Sequence, residues 1–169
     1  SAINFLKDAI PSLETKLPGI HNEGFLSMHE LEFGLKSRED WDDALAKGAP
    51  IIKSKEHNIL INLGFKTKRL DNLTELLISN EKKTGIAILL REDELPNVGT
   101  SRFNNISPIT YALNKADNES LSWVIIIQGD KLRLYNSKNI GVSKRGRTES
   151  FIECQLSLMS SEDIGIVWF

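Results

Sequence analysis

The stretch WVIIIQGDKLRLYNS, residues 123–137, constrains the fold of this chain more than any other. Two strand-like runs flank Gly129-Asp130. Glycine adopts positive φ without steric cost, so a Gly-Asp pair between such runs reads as a tight hairpin turn. Side chains alternate across a strand, so Lys131 and Arg133 should share one face of the second run.

The surrounding pattern builds a sheet around this hairpin. LTELLIS (73–79) and GIAILLRE (85–92) are short β-like runs joined by the polar turn NEKKT. ESFIECQLSL sets Phe151, Ile152, Cys154, Leu156 and Leu158 against polar residues, as a half-buried strand does. Between them, Ser107 before Pro108 predicts a helix N-cap followed by proline at the first helical position. From Asp40 the apolar period is helical, through Trp41, Leu45, Ile51, Ile52, Ile59, Leu60 and Leu63. Gly48 and Pro50 divide it, and the second helix should run from about Ile51 to Leu63 and stop at Gly64.

Upstream, Ile3, Phe5, Leu6, Ile10, Leu13 and Leu17, interrupted by Pro11, predict a short helix or two half-turns. Residues 18–40 are polar and acidic without a clear period, and His21 and His29 lack metal-ligand spacing. The order of elements predicts an α/β (α+β) fold, a mixed sheet flanked by helices. Residues 1–40 form an N-terminal helical extension in this reading, and residues 41–159 the α/β domain. In residues 160–169, Ser160 and Asp163 form a capping-box-like start before an apolar run. That predicts a helix leading into further chain, so the sequence reads as a piece of a longer polypeptide.

Charge and cysteine content narrow the function classes. The net charge of −2 over 169 residues excludes general attraction to nucleic acid, so any such contact must come from a patch. No run approaches 18 apolar residues, which predicts no membrane-spanning helix. The single cysteine, Cys154, leaves no internal disulfide and no multi-cysteine metal site. Its place in an alternating strand reads as a small core residue. A reducing, cytoplasmic setting is the corresponding expectation. There is no Gly-x-Ser-x-Gly nucleophile motif and no glycine-rich phosphate loop.

Three segments carry a family resemblance: NILINLGF, SPITYALNKADNESLSWVIIIQGDKLRLYNS and GVSKRGRTESFIECQLSLM. The chain from about residue 56 onward resembles the N-terminal, nuclease-related region of type IIG-like restriction–modification proteins. In those proteins this region precedes an adenine-specific DNA methyltransferase. The shared pattern is a helix ending in Leu-Gly-Phe, a helix opening with Ser-Pro, a strand of the type Trp123 to Gly129, an Arg133-Leu134-Tyr135 strand and a Gly146-to-Glu149 segment. The resemblance covers roughly two-thirds of the chain and implies a PD-(D/E)XK nuclease-like fold. It also implies DNA and a downstream methyltransferase domain as partners.

The chemistry of that family is Mg²⁺-dependent phosphodiester hydrolysis. It needs an acid at the start of the second core strand and acid-x-lysine on the third, two carboxylates to hold the metal and a lysine to orient water. Glu75 in LTELLIS takes the first position, with Asp71 a poorer fit ahead of the strand. The partner strand in its natural register offers Leu90-Arg91-Glu92, which is not acid-x-lysine. A two-residue slip offers Glu92-Asp93-Glu94, an acid-x-acid variant at the ragged strand end. Two readings stand: an active Mg²⁺-dependent endonuclease using Glu75, Glu92 and Glu94 with the metal on Glu75 and Glu92, or a degenerate site in which these acids are solvated.

From Lys131 to Arg147 the chain carries Lys131, Arg133, Lys138, Lys144, Arg145 and Arg147 with no acid between them. Such a run fits DNA phosphate contact, principally through Lys131, Arg133, Lys144, Arg145 and Arg147. It also fits a charged loop that keeps a sheet edge soluble. A third reading pairs Arg133 or Arg147 with an acid such as Glu149 or Glu153, leaving a non-catalytic domain that docks the methyltransferase.

Overall fold

The computed structural model describes residues 20–23, 46, 50–138 and 144–160. The helices expected over residues 2–17, around Trp41 and Leu45 and after Ser160 lie outside the described residues.

The described strands are β1 (Ile20–Glu23), β2 (Lys66–Arg69), β3 (Glu75–Ser79), β4 (Lys82–Leu89), β5 (Trp123–Gln128), β6 (Lys131–Asn136) and β7 (Phe151–Gln155). The helices are α1 (His57–Asn62), α2 (Pro108–Asn118) and α3 (Lys144–Glu149). The strands form one mixed sheet in the order β1-β7-β6-β5-β4-β3-β2. β4 and β5 are parallel and every other described pair is antiparallel. A parallel pair needs a crossover, and α2 supplies it between these two strands. The sequence signals for α2 hold, since the Ser107 side chain accepts from the Thr110 backbone N–H and Pro108 stands at the helix start.

Each face of the sheet has its own core. On one face Leu77, Ala87, Ile125, Ile127, Leu132 and Cys154 bury against Ile59 and Leu60 of α1 and against Ile51. On the other, Leu76, Ile86, Ile88, Val124 and Ile126 bury against Ile109, Ala112, Leu113 and Ala116 of α2. This two-sided cover explains the unbroken apolar run in β5, whose residues 124–127 are all buried. Gly85 sits opposite Trp123 in the parallel pair, where a Cβ would stand 2.6 Å from the Trp123 carbonyl oxygen. Only glycine lets the two backbones approach there.

Five features depart from the sequence reading. The helix expected over Ile51–Leu63 breaks after residue 52 and resumes at His57. Glu56 in the break has φ 52°, and its N–H donates to the Gly129 carbonyl at 2.8 Å. The tie to the β5–β6 turn outweighs local helix propensity, while Gly64, at φ 88°, ends the helix as expected. β2 is Lys-Thr-Lys-Arg, with no apolar alternation to betray it; it lies at the sheet edge, where lysines discourage further pairing. Ile20–Glu23, expected within a helical extension, pairs with β7 instead. Residues 144–149, read as a turn or loop, form the short helix α3 despite Gly146. The β3–β4 turn is tighter than NEKKT suggested: Asn80 and Glu81 both take positive φ and β4 begins at Lys82.

Candidate nucleic-acid interface

Glu75, Glu92 and Glu94 are the acids expected to hold a metal. Glu75 begins β3, and its register partners are Arg69 on β2 and Ala87 on β4. The β4 residues that share its face are therefore Ala87 and Leu89, both apolar, where a second acid and a lysine would be required. The Glu75 carboxylate instead lies 2.8 Å from His57 Nε2, which is also 3.2 Å from Thr67 Oγ1. Glu92 and Asp93 are exposed in the turn after β4. Glu94 is only 5 % exposed. It accepts from the Arg91 backbone N–H at 2.9 Å and from Arg102 Nη1 at 2.5 Å. Arg102 in turn donates to the Leu89 carbonyl and lies over the Phe103 ring. Glu94 is thus a buried clasp for the loop leaving β4.

The structure does not bring Glu75, Glu92 and Glu94 together. Among the described residues no group of three His, Cys, Asp or Glu side chains could hold a metal ion. Two of the three acids are committed elsewhere, to His57 and to Arg102, so the set does not fit Mg²⁺.

Asp71 has a role that the spacing did not reveal. It accepts from the backbone N–H groups of Leu73 and Thr74 at 2.8 and 2.7 Å, from Tyr111 Oη at 3.0 Å, and pairs with Lys115 Nζ at 3.0 Å. Burial alone would push its carboxyl up, but the hydrogen bond from Leu73 and those from Lys115 and Tyr111 hold it well below the usual carboxylate range. Burial and the Asp71 charge push the Tyr111 hydroxyl up, and the bond to Asp71 does the same for Lys115. An aspartate two and three residues before the N–H groups it accepts from is an Asx-type turn, and DNLT carries that local signal. Its partners on α2, 40 residues away in the case of Tyr111, leave no local trace.

In the basic stretch Arg133 and Arg147 have acidic partners, while Lys131 and Lys138 face solvent. Arg133 sits opposite Glu153 in the β6–β7 register. Its Nε pairs with Glu153 Oε2, its Nη1 lies 3.4 Å from Tyr135 Oη, and its guanidinium lies 4.2 Å from the Phe151 ring centroid. Arg147 grips Asp117 with both Nη atoms, at 2.8 and 3.0 Å, and donates to the Ser137 carbonyl at 2.8 Å. Pairing therefore holds for both arginines; for Arg133 the partner is Glu153 as anticipated, and for Arg147 it is Asp117 at the end of α2. Arg147 pins α3 to that helix. Lys144 and Arg145 open α3. Lys131 and Lys138 are exposed. Cys154 is buried and its thiol is pushed up by that burial, as a core residue's is.

Lys131 and Arg133, together with Glu153, line one side of a cleft of about 120 Å³. Leu90, Leu95, Pro96 and Ile126 form its apolar side. The loop that carries Leu95 and Pro96 is held by the Glu94–Arg102 clasp and by Gln128, whose side-chain amide donates to the carbonyls of Arg91 and Glu94 at 2.5 and 2.8 Å. The cleft lies at the carboxyl ends of the parallel strands β4 and β5, where the next strand reverses direction.

No helix among the described residues is long and apolar enough to cross a membrane. Comparison of the chain with protein-family models, with curated proteins and with solved structures finds no match.

Proposed function

We propose that this chain is a nuclease-like DNA-contact module of a restriction–modification protein, with a degenerate metal site and a DNA methyltransferase as its downstream partner. One observation carries the DNA contact: Lys131 and Arg133 share a face and open onto a cleft at the carboxyl ends of the parallel pair. One carries the degeneracy: the β4 positions on the face of Glu75 are Ala87 and Leu89. The family resemblance of the segments around Trp123–Tyr135 and Gly146–Glu149 supports the same reading, which rests on a PD-(D/E)XK-like arrangement of the sheet.

Fluorescence anisotropy of labelled DNA across a salt gradient tests it. Affinity should fall log-linearly with salt, and Lys131→Ala should lower the slope by about one unit. A chain that binds neither single- nor double-stranded DNA at about 50 mM salt would overturn the proposal. That outcome favours the second reading, a docking domain for the methyltransferase. The specific observation behind it is that Arg133 and Arg147 already neutralise Glu153 and Asp117.

A further inference from the structure

We infer that the cleft beside Lys131 takes a single unpaired nucleotide, so that this module prefers single-stranded or extruded DNA to an intact duplex. The inference rests on the DNA-contact reading and names the substrate form for the same site.

The two sides of the cleft differ in chemistry in the way the two ends of a nucleotide do. Leu90, Leu95, Pro96 and Ile126 offer an apolar wall. Leu95 is 56 % exposed and stands on a loop held by the Glu94 and Gln128 hydrogen bonds, so it is accessible to a ligand. Opposite stand Lys131 and Arg133 with Glu153, a net charge of +1 from two cations and one anion. Glu153 does not repel a phosphate as a free carboxylate would, because Arg133 Nε is paired with it. The same pair, with Phe151 under the guanidinium, fixes the direction of the Arg133 fork before a ligand arrives.

Size decides between a duplex and a lone nucleotide. A volume of about 120 Å³ is far below the several hundred Å³ of a site for a drug-sized ligand. A cleft of that size seats at most the base of one nucleotide and leaves its sugar and phosphate at the mouth. In a duplex the base faces are stacked on one another and cannot reach an apolar wall. A duplex would therefore present only phosphates here and leave Leu95 and Pro96 in water. An unpaired nucleotide satisfies both sides at once, with its base against Leu95 and Pro96 and its phosphate at Lys131 and Arg133. Contact of a base face with an aliphatic wall carries no hydrogen-bond readout, so it tolerates sequence.

The test uses the whole chain and a labelled oligonucleotide of about 12 nucleotides, single-stranded and as the duplex of the same sequence. The expected result is about tenfold tighter binding of the single strand. Leu95→Ser should erase that preference while leaving duplex binding unchanged, and Lys131→Ala should weaken both forms. Both side chains are solvent-exposed, and unchanged thermal unfolding shows that the variants remain folded. A deoxynucleoside monophosphate should compete for the single strand better than deoxyribose 5-phosphate does. Equal affinity for the two forms, or a preference that survives Leu95→Ser, overturns the inference and leaves the DNA-contact reading standing. No binding of either form overturns both.

Discussion

Two antiparallel pairs in the same sheet place a charged residue on a cross-strand face, and they treat it differently. On β3–β4, Glu75 faces Ala87 and shares its side of the sheet with Leu89. No cation on β4 answers it, and its partner is His57 from α1. On β6–β7, Arg133 faces Glu153 directly and the pair is backed by Phe151 and Tyr135. The first pair lacks the second acid and the lysine that a metal-dependent strand couple needs. The second has pre-oriented charge at the mouth of a cleft without any acid left over to bind metal. Strand position alone therefore does not make a metal site; what decides it is which side chains stand across the ladder.

The largest effect that can break this contrast lies in the loop between the two regions. Arg102→Ala leaves the Glu94 carboxylate buried without its cation, a change that costs about 3–5 kcal/mol. Urea unfolding measures it. The loop also carries Leu95, so the variant should lose the apolar wall of the cleft and with it the preference for single strands. A loss below about 1 kcal/mol would instead mean that Glu94 is not committed to Arg102, and it would return this acid to the set available for a metal.

Asp71 gives an intermediate effect with a defined pH dependence. Its folded carboxyl is held below its unfolded value, so the stabilisation is fully present above the unfolded pKa of about 3.9 and is lost as pH falls through the folded value. Asp71→Asn should therefore cost about 1.5–3 kcal/mol at neutral pH, the range for hydrogen bonds to a charged group. The gap between wild type and variant should begin to close below about pH 5. A gap that stays constant from neutral to acid pH would show that Asp71 is not the ionised hub of the Leu73, Tyr111 and Lys115 contacts. Asp71 stands ahead of β3 as the alternative first acid, so this measurement also separates a structural carboxylate from a catalytic one.

The parts of this architecture that the sequence makes legible are those with local causes. Gly129-Asp130 fixes a hairpin, Ser107-Pro108 starts α2, and Gly64 stops α1 because each acts within a few residues of itself. The missing parts have distant causes. β2 has no apolar stripe because an edge strand of four charged or hydroxyl residues needs none. The break at Glu56 comes from a carbonyl at Gly129, and the partner of Arg147 lies 30 residues upstream. The site divides the same way. Alternation alone places Lys131 and Arg133 on one face, and it makes Glu153 a candidate partner. The burial of Glu94 depends on Arg102, and the tie between Glu75 and His57 spans 18 residues; neither is visible in a strand pattern. An acid-rich turn such as Glu92-Asp93-Glu94 therefore reads as a metal site in sequence and resolves into two solvent-facing acids and one clasp in space.

The smallest expected effect bears on the centre of the contrast. Glu75 and His57 are both partly exposed, and an ion pair of that kind contributes about 1 kcal/mol or less. Glu75→Gln keeps the shape of the side chain and an oxygen that still accepts from the imidazole, so its cost should lie at or below that figure. A metal-binding Glu75 would behave otherwise. Mg²⁺ or Mn²⁺ that binds only the folded chain raises its melting temperature by mass action, at about 2.7 kcal/mol for ligand in hundredfold excess over Kd. Removing a ligating carboxylate would abolish that rise. With Ala87 and Leu89 on the facing strand, neither metal should move the melting temperature of the wild-type chain, and Glu75→Gln should respond identically. A metal-dependent rise that disappears in Glu75→Gln would restore this strand pair as a metal site and reverse the contrast between the two halves of the sheet.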